Sequence, residues 1–155
     1  MTDFSDLVTP ATILAGVTAS TKKALFQQLG TVAGAAFGLD PKAVADTLGD
    51  REKLGSTGFG GGIAIPHGRI SGIDRVVGLF AKLDAPLDFA AIDDLPVDLV
   101  FMLLSPPIAG AEHLKALARV SRALRDRGFA AKLRGAGSPD ALVALLTQSE
   151  TRDAA

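Results

Sequence analysis

The chain has 155 residues, 48% of them hydrophobic, a formal net charge of −1, two histidines and no cysteine. That length suits one domain with a core of its own, read here as a single unit over 1–155. The totals exclude disulfides, thiolate chemistry and cysteine-held metals, offer no basic footprint for nucleic acid, and supply no apolar run near the roughly 20 residues of a membrane span. With only His67 and His113, and neither H-x-x-x-H nor H-E-x-x-H spacing, no metal site is expected. The acidic start, MTDFSDLV, is unlike a secretory leader, so a cytoplasmic location with no membrane insertion is expected.

In chain order, Ser20 or Thr21 caps a predicted helix through KKALFQQLGTVAGAAF, which offers Leu25, Leu29, Val32 and Phe37 to a core and stops at Gly38. Asp40-Pro41 begins a second helix running to Gly55, with Arg51, Glu52 and Lys53 in its last turns. Two strand-like runs follow, 75–83 and 97–104, with Pro86 and Pro96 expected outside them. The second is apolar on nearly every residue, as a strand covered on both faces would be. Pro106 and Pro107 end it. A helix over 111–126 then places Leu114, Leu117, Val120, Ala123 and Leu124 at helical spacing, and Ser138-Pro139-Asp140 opens a last short helix. The tail ETRDAA is expected to fray. Helices before, between and after strands, with a strand buried on both faces, predict an α/β fold: a three-layer α/β/α sandwich around a mixed β-sheet.

Between the second helix and the first long strand lies GSTGFGGGIAIPHGRI (55–70), where six glycines surround a short apolar segment, a proline and His67. It is not a P-loop, which needs a terminal lysine with Ser or Thr, nor a G-x-G-x-x-G or G-x-S-x-G motif. What remains is a loop with free backbone N–H groups and two hydroxyls, Ser56 and Thr57, beside an imidazole. Nested N–H donors suit an anion, and a neutral imidazole is a competent nucleophile. On the residues alone, His67 is either a phosphoryl acceptor or a structural histidine, and His113 reads as a residue on a helix surface.

DREKLGSTGFGGGIAIPHGRI, APLDFAAIDDLPVDLVFMLL and EHLKALARVSRALRD resemble the enzyme IIA component of the bacterial phosphotransferase system. The similarity is to its fructose/mannitol class, and within that to the stand-alone nitrogen-regulatory branch, from about residue 5 to 147. The resemblance implies that His67 accepts the phosphoryl group on Nε2 and that Arg51 and His113 are active-site residues. His113 would contact the phosphoryl group or orient His67. Ser56, Thr57 and Gly68 would lie at the phosphoryl group. It implies an HPr-like phosphocarrier of the nitrogen branch as donor, no cofactor, and regulatory targets such as potassium-transport or stress-signalling proteins. An apolar rim for the carrier is expected from Phe59 and Ile70. Two alternatives are a sugar-transport subunit serving a separate IIB protein and a regulator whose binding ignores phosphate. Relatives carry a carboxylate or an asparagine where this chain has Gly61, so any side-chain contribution from that position is missing here.

Overall fold

The computed structural model describes residues 3–147. The expected fraying of ETRDAA falls outside them. Four of the five α-helices among the described residues start at a side-chain cap visible in the chain; the helix over Ala111–Arg125, which follows Gly110, does not. The Thr21 hydroxyl accepts from Ala24 N–H and opens α1 (Lys22–Phe37), which ends at Gly38 in the left-handed region, φ +68°. Asp40 caps α2 (Pro41–Lys53) through Lys42 N–H, with proline in the first turn where a missing N–H does no harm. α3 (Ala111–Arg125) is followed after a single residue by α4 (Arg127–Gly135), and Asp126 is the hinge between them, its carboxylate accepting from Phe129 N–H. Ser138 caps α5 (Pro139–Leu146).

Six strands build one mixed sheet: β1 (Ile13–Val17), β2 (Gly58–Gly60), β3 (Ile63–Ala64), β4 (His67–Arg69), β5 (Val77–Leu87) and β6 (Val97–Ser105). The order is β1-β5-β6-β3-β2, with β4 also on β6. β1 runs parallel to β5, and β3 and β4 run parallel to β6; β5 with β6 and β2 with β3 are antiparallel. β6 is thus bonded on both edges and covered on both faces, and Leu99 to Leu104 are all fully buried. Period-two alternation divides those residues between two cores. Val100, Met102 and Leu104 meet Leu25, Phe26, Leu29, Val44 and Leu48 of α1 and α2. Leu99, Phe101 and Leu103 meet Val120, Leu124, Leu133, Leu142 and Leu146 of α3 to α5, joined by Phe4, Leu7 and Val8. Each such side chain contributes roughly 1.5–3 kcal/mol on burial, so the sheet carries a stable core on either side of the site. The layers are those of the expected α/β/α sandwich.

The elements differ from the expectation in several places. β1, α4 and the short strands β2 and β4 within the glycine-rich segment were not anticipated. β5 continues past Pro86, which lies in an irregular stretch between the pairs Lys82↔Leu99 and Leu87↔Val97, where no regular ladder needs its N–H. Leu114 is 66% exposed: the buried stripe of α3 is His113, Ala116, Val120 and Leu124, rotated so that the histidine takes an inward position.

Candidate functional site

The segment from Ile63 to Arg69 is one extended stretch laid along β6 in a constant register, Ile63↔Leu99 through Arg69↔Ser105, interrupted only at Ile65-Pro66. Pro66 has no N–H to give the ladder, but its carbonyl accepts from Leu103 N–H at 2.9 Å, so the register survives the proline. Ile63 and Ile65 point into the α3–α5 core, and alternation brings His67 and Arg69 to that same face. There the first turn of α3 supplies His113. The two imidazoles lie 5.8 Å apart between centroids, tilted by 53°.

His67 is half-buried, and its Nδ1 is 2.7 Å from the carbonyl oxygen of Ile65. A carbonyl only accepts, so Nδ1 carries the hydrogen, and in the neutral ring the lone pair is on Nε2. Burial holds the His67 pKa below the ordinary imidazole value. The Ile65 bond opposes this, Arg51 adds to it, and Glu52 opposes it. The lowered pKa favours the neutral ring at pH 7, whose free lone pair is then on Nε2.

His113 is buried, not a helix-surface residue, and its Nδ1 lies 2.5 Å from Ser105 Oγ at the end of β6. Its pKa is lowered by burial first, then by the charge of Arg69 and by repulsion from the His67 ring when that ring is protonated. Arg69 donates to the carbonyl of Ala109 and so fastens the turn that leads into α3. Gly68, on the opposite face of β4, packs on Thr47 of α2. Arg51 stands four residues after Thr47, on the same side of α2, and donates to Gly55 O at 2.9 Å. The structure thus brings together His67, His113 and the charge of Arg51.

Ser56 and Thr57 lie nearby with their hydrogens directed elsewhere. Ser56 Oγ donates to Phe89 O at 2.7 Å, and Thr57 Oγ1 donates to Glu52 Oε1 at 2.6 Å. Both hydroxyls hold the loop's shape. Gly60, Gly61 and Gly62 take positive φ in succession, which turns β2 into β3. That turn is pinned, not slack: Gly61 N–H donates to Asp93, and Arg134, paired with Asp98, donates to Gly61 O. A left-handed φ of +68° at Gly61 is also the conformation that asparagine tolerates better than other non-glycine residues. The expected apolar rim is not where it was read. Ile70 is buried in the α1–α2 core, and Phe59 lies under Arg125, roughly 18 Å of helix beyond His113. The exposed apolar residues beside the site's elements are Leu54, next to α2, and Ile108 and Leu114, on either side of His113 in the chain.

A family profile described as "Phosphoenolpyruvate-dependent sugar phosphotransferase system, EIIA 2" matches residues 6–149. The chain belongs to this family. As an EIIA 2 member it is a phosphotransferase component, and its relatives include regulatory ones. It is 47% identical over 142 residues to the "Nitrogen regulatory protein" of Bradyrhizobium diazoefficiens, covering 92% of this chain and 93% of that one. Among solved structures it superposes on the nitrogen regulatory protein IIA-Ntr of Neisseria meningitidis with a TM-score of 0.86 at 34% identity, over 92% and 97% of the two chains. The IIA mannitol protein of Escherichia coli matches with a TM-score of 0.75 at 26% identity, over 90% and 99%. The resemblance read from the motifs is borne out. Among the described residues, no helix of this EIIA 2 chain is long and apolar enough to cross a membrane.

Proposed function

We propose that this chain, acting in the cytoplasm, accepts a phosphoryl group on His67 Nε2 from an HPr-like phosphocarrier of the nitrogen branch. Its phosphorylation state then governs its binding to regulatory targets, potassium-transport or stress-signalling proteins among them. The observation that carries this is the bond from His67 Nδ1 to the Ile65 carbonyl, which leaves the lone pair on Nε2 in a ring kept neutral by burial. Nε2 attacks phosphorus in line. The new N–P bond forms as the donor's N–P bond breaks, and that electron pair returns to the carrier's imidazole. The attacking ring gains positive character, and the Ile65 carbonyl on Nδ1–H stabilises it. The transition state is loose, so positioning and charge do most of the work. Arg51, permanently cationic with a planar fork of donors, suits the phosphoryl oxygens. His113, braced by Ser105, has its ring 5.8 Å from that of His67, centroid to centroid. The donor is already an activated phosphoramidate, so the transfer calls for no cofactor. Leu54, Ile108 and Leu114 offer the carrier apolar surface around the polar site.

The test is incubation with phosphoenolpyruvate, enzyme I and the nitrogen-type carrier. The wild type should take up acid-labile, base-stable phosphate, and His67→Ala should take up none. Label retained on His67→Ala would refute the assignment, and onward transfer to a IIB protein would favour the sugar-transport alternative.

A further inference from the structure

Glu52 is a charged group near His67 that the transfer chemistry leaves unused. It belongs to the last turn of α2, and its side chain is only 7% exposed, an expensive place for a carboxylate unless its oxygens are satisfied. They are. Thr57 N–H lies 3.2 and 3.1 Å from the two oxygens, Thr57 Oγ1 donates at 2.6 Å, and Lys22 Nζ, from the first turn of α1, sits at 2.7 Å. Thr57 in turn accepts from Ile65 N–H through its own carbonyl at 3.1 Å. Ile65 is the residue whose carbonyl holds His67 Nδ1. A continuous series of contacts therefore runs from Glu52 through Thr57 and Ile65 to the ring.

We infer that Glu52, with Lys22 as its counter-ion, is a positioning residue for His67: it clamps Thr57, and through Thr57 the Ile65 carbonyl that selects the Nδ1–H tautomer. This rests on the reading of His67 as phosphoryl acceptor. The residue type follows from the geometry. Only a carboxylate offers two acceptor oxygens, one for the threonine hydroxyl and one for the ammonium, with the threonine N–H between them. Glutamine would turn an NH₂ group toward donors, and aspartate is one methylene short. The clamp does not act alone on Thr57's surroundings, because Ser56 fastens the same turn to Phe89. The charge has a second effect. His67 faces Arg51 and Glu52 from α2 and His113 from α3, and Glu52 favours the protonated ring while Arg51 disfavours it.

The experiment compares wild type, Glu52→Gln and Thr57→Val by imidazole ¹⁵N spectra across pH and by rate of phosphoryl uptake. Both variants should slow uptake about tenfold, the loss of roughly one hydrogen bond's worth of positioning, and both should show a measurable Nε2–H population absent from wild type. Glu52→Gln should also lower the His67 pKa, whereas Thr57→Val, which keeps the charge, should leave it in place. Folded variants with the wild-type tautomer and uptake within twofold would overturn the inference, even if their melting temperatures fell, since that is what a merely structural clamp would give. If Glu52→Gln does not fold, Thr57→Val decides by the same tautomer and rate readings. If wild type takes up no phosphate, the proposed function fails, and the tautomer and titration readings still judge Glu52.

Discussion

Gly68→Ala is the sharpest perturbation next to His67. A Cβ built on Gly68 would lie 2.5 Å from Thr47 Cγ2 and 3.6 Å from Thr47 O, the first about 1 Å short of ordinary contact. Gly68 does not have positive φ, so alanine meets a purely spatial obstacle with no backbone penalty. Thr47 cannot simply rotate away, because its hydroxyl donates to Ala43 O at 2.8 Å. Either that bond breaks or α2 moves off β4. Overpacking of this kind costs about 1–3 kcal/mol, offset by roughly 0.5–1 kcal/mol from replacing a glycine within a strand. The two ranges leave a net loss of about 0–2.5 kcal/mol, and an approach as close as 2.5 Å to a threonine held by its own hydrogen bond places it in the upper part, about 1–2.5 kcal/mol, or a melting temperature lower by roughly 2–10 °C for a domain of this size. The displaced helix carries Arg51 and Glu52 one turn further on, so phosphoryl uptake should fall together with stability. Thr47→Ser removes the offending methyl and keeps the hydroxyl, and Gly68→Ala/Thr47→Ser should recover both properties. Calorimetry and uptake rates on the four proteins of this cycle test the reasoning. A Gly68→Ala protein as stable as wild type, or a double variant no better than the single, would refute it.

Three other outcomes are expected. Arg51→Ala and His113→Ala should each slow uptake about ten- to hundredfold, for one charge-assisted hydrogen bond lost. They should differ in stability, since among the described residues the Arg51 side chain hydrogen-bonds Gly55 O alone while His113 is buried on Ser105; equal melting temperatures would contradict that burial. The folded-state pKa values of His67 and His113 are both depressed, so the stability they contribute is fully present above their unfolded value near 6.5 and is lost as pH falls through the folded values. Urea midpoints should therefore drop between pH 7 and pH 5, and a slope unchanged in His67→Gln/His113→Gln would mean other groups are responsible. Phosphorylation should act as a local change of up to about two negative charges. Amide shifts confined to residues 51–72 and 111–116 support this, and changes reaching α5 would require a global rearrangement.

What was legible in the chain was whatever a short stretch specifies by itself. Thr21, Asp40-Pro41 and Ser138-Pro139 cap helices because the cap and the N–H it binds are two or three residues apart. β6 announces itself because a strand covered on both faces has no polar alternation to lose. β1 was missed because it is five residues long, contains Gly16, and buries only Ile13 and Val17 fully. α4 was missed because it is nine residues long and contains Gly128 and Gly135, and its start becomes visible only when the Asp126 carboxylate is seen on Phe129 N–H. The site divides the same way. His67 stood out through its glycine and proline neighbours, whereas His113 read as a helix-surface residue and Glu52, between Arg51 and Lys53, was given no role. Their burial depends on partners the local pattern cannot supply: Ser105 across the β6–α3 turn, and Lys22, thirty residues before Glu52. This difference has a physical consequence. An imidazole on a strand is oriented by its own register and takes its tautomer from a carbonyl two residues earlier, but its charge is tuned by groups from other elements. So the motif marks the proposed acceptor atom, and the charges of α2 and the burial against α3 bear on the state in which it would react.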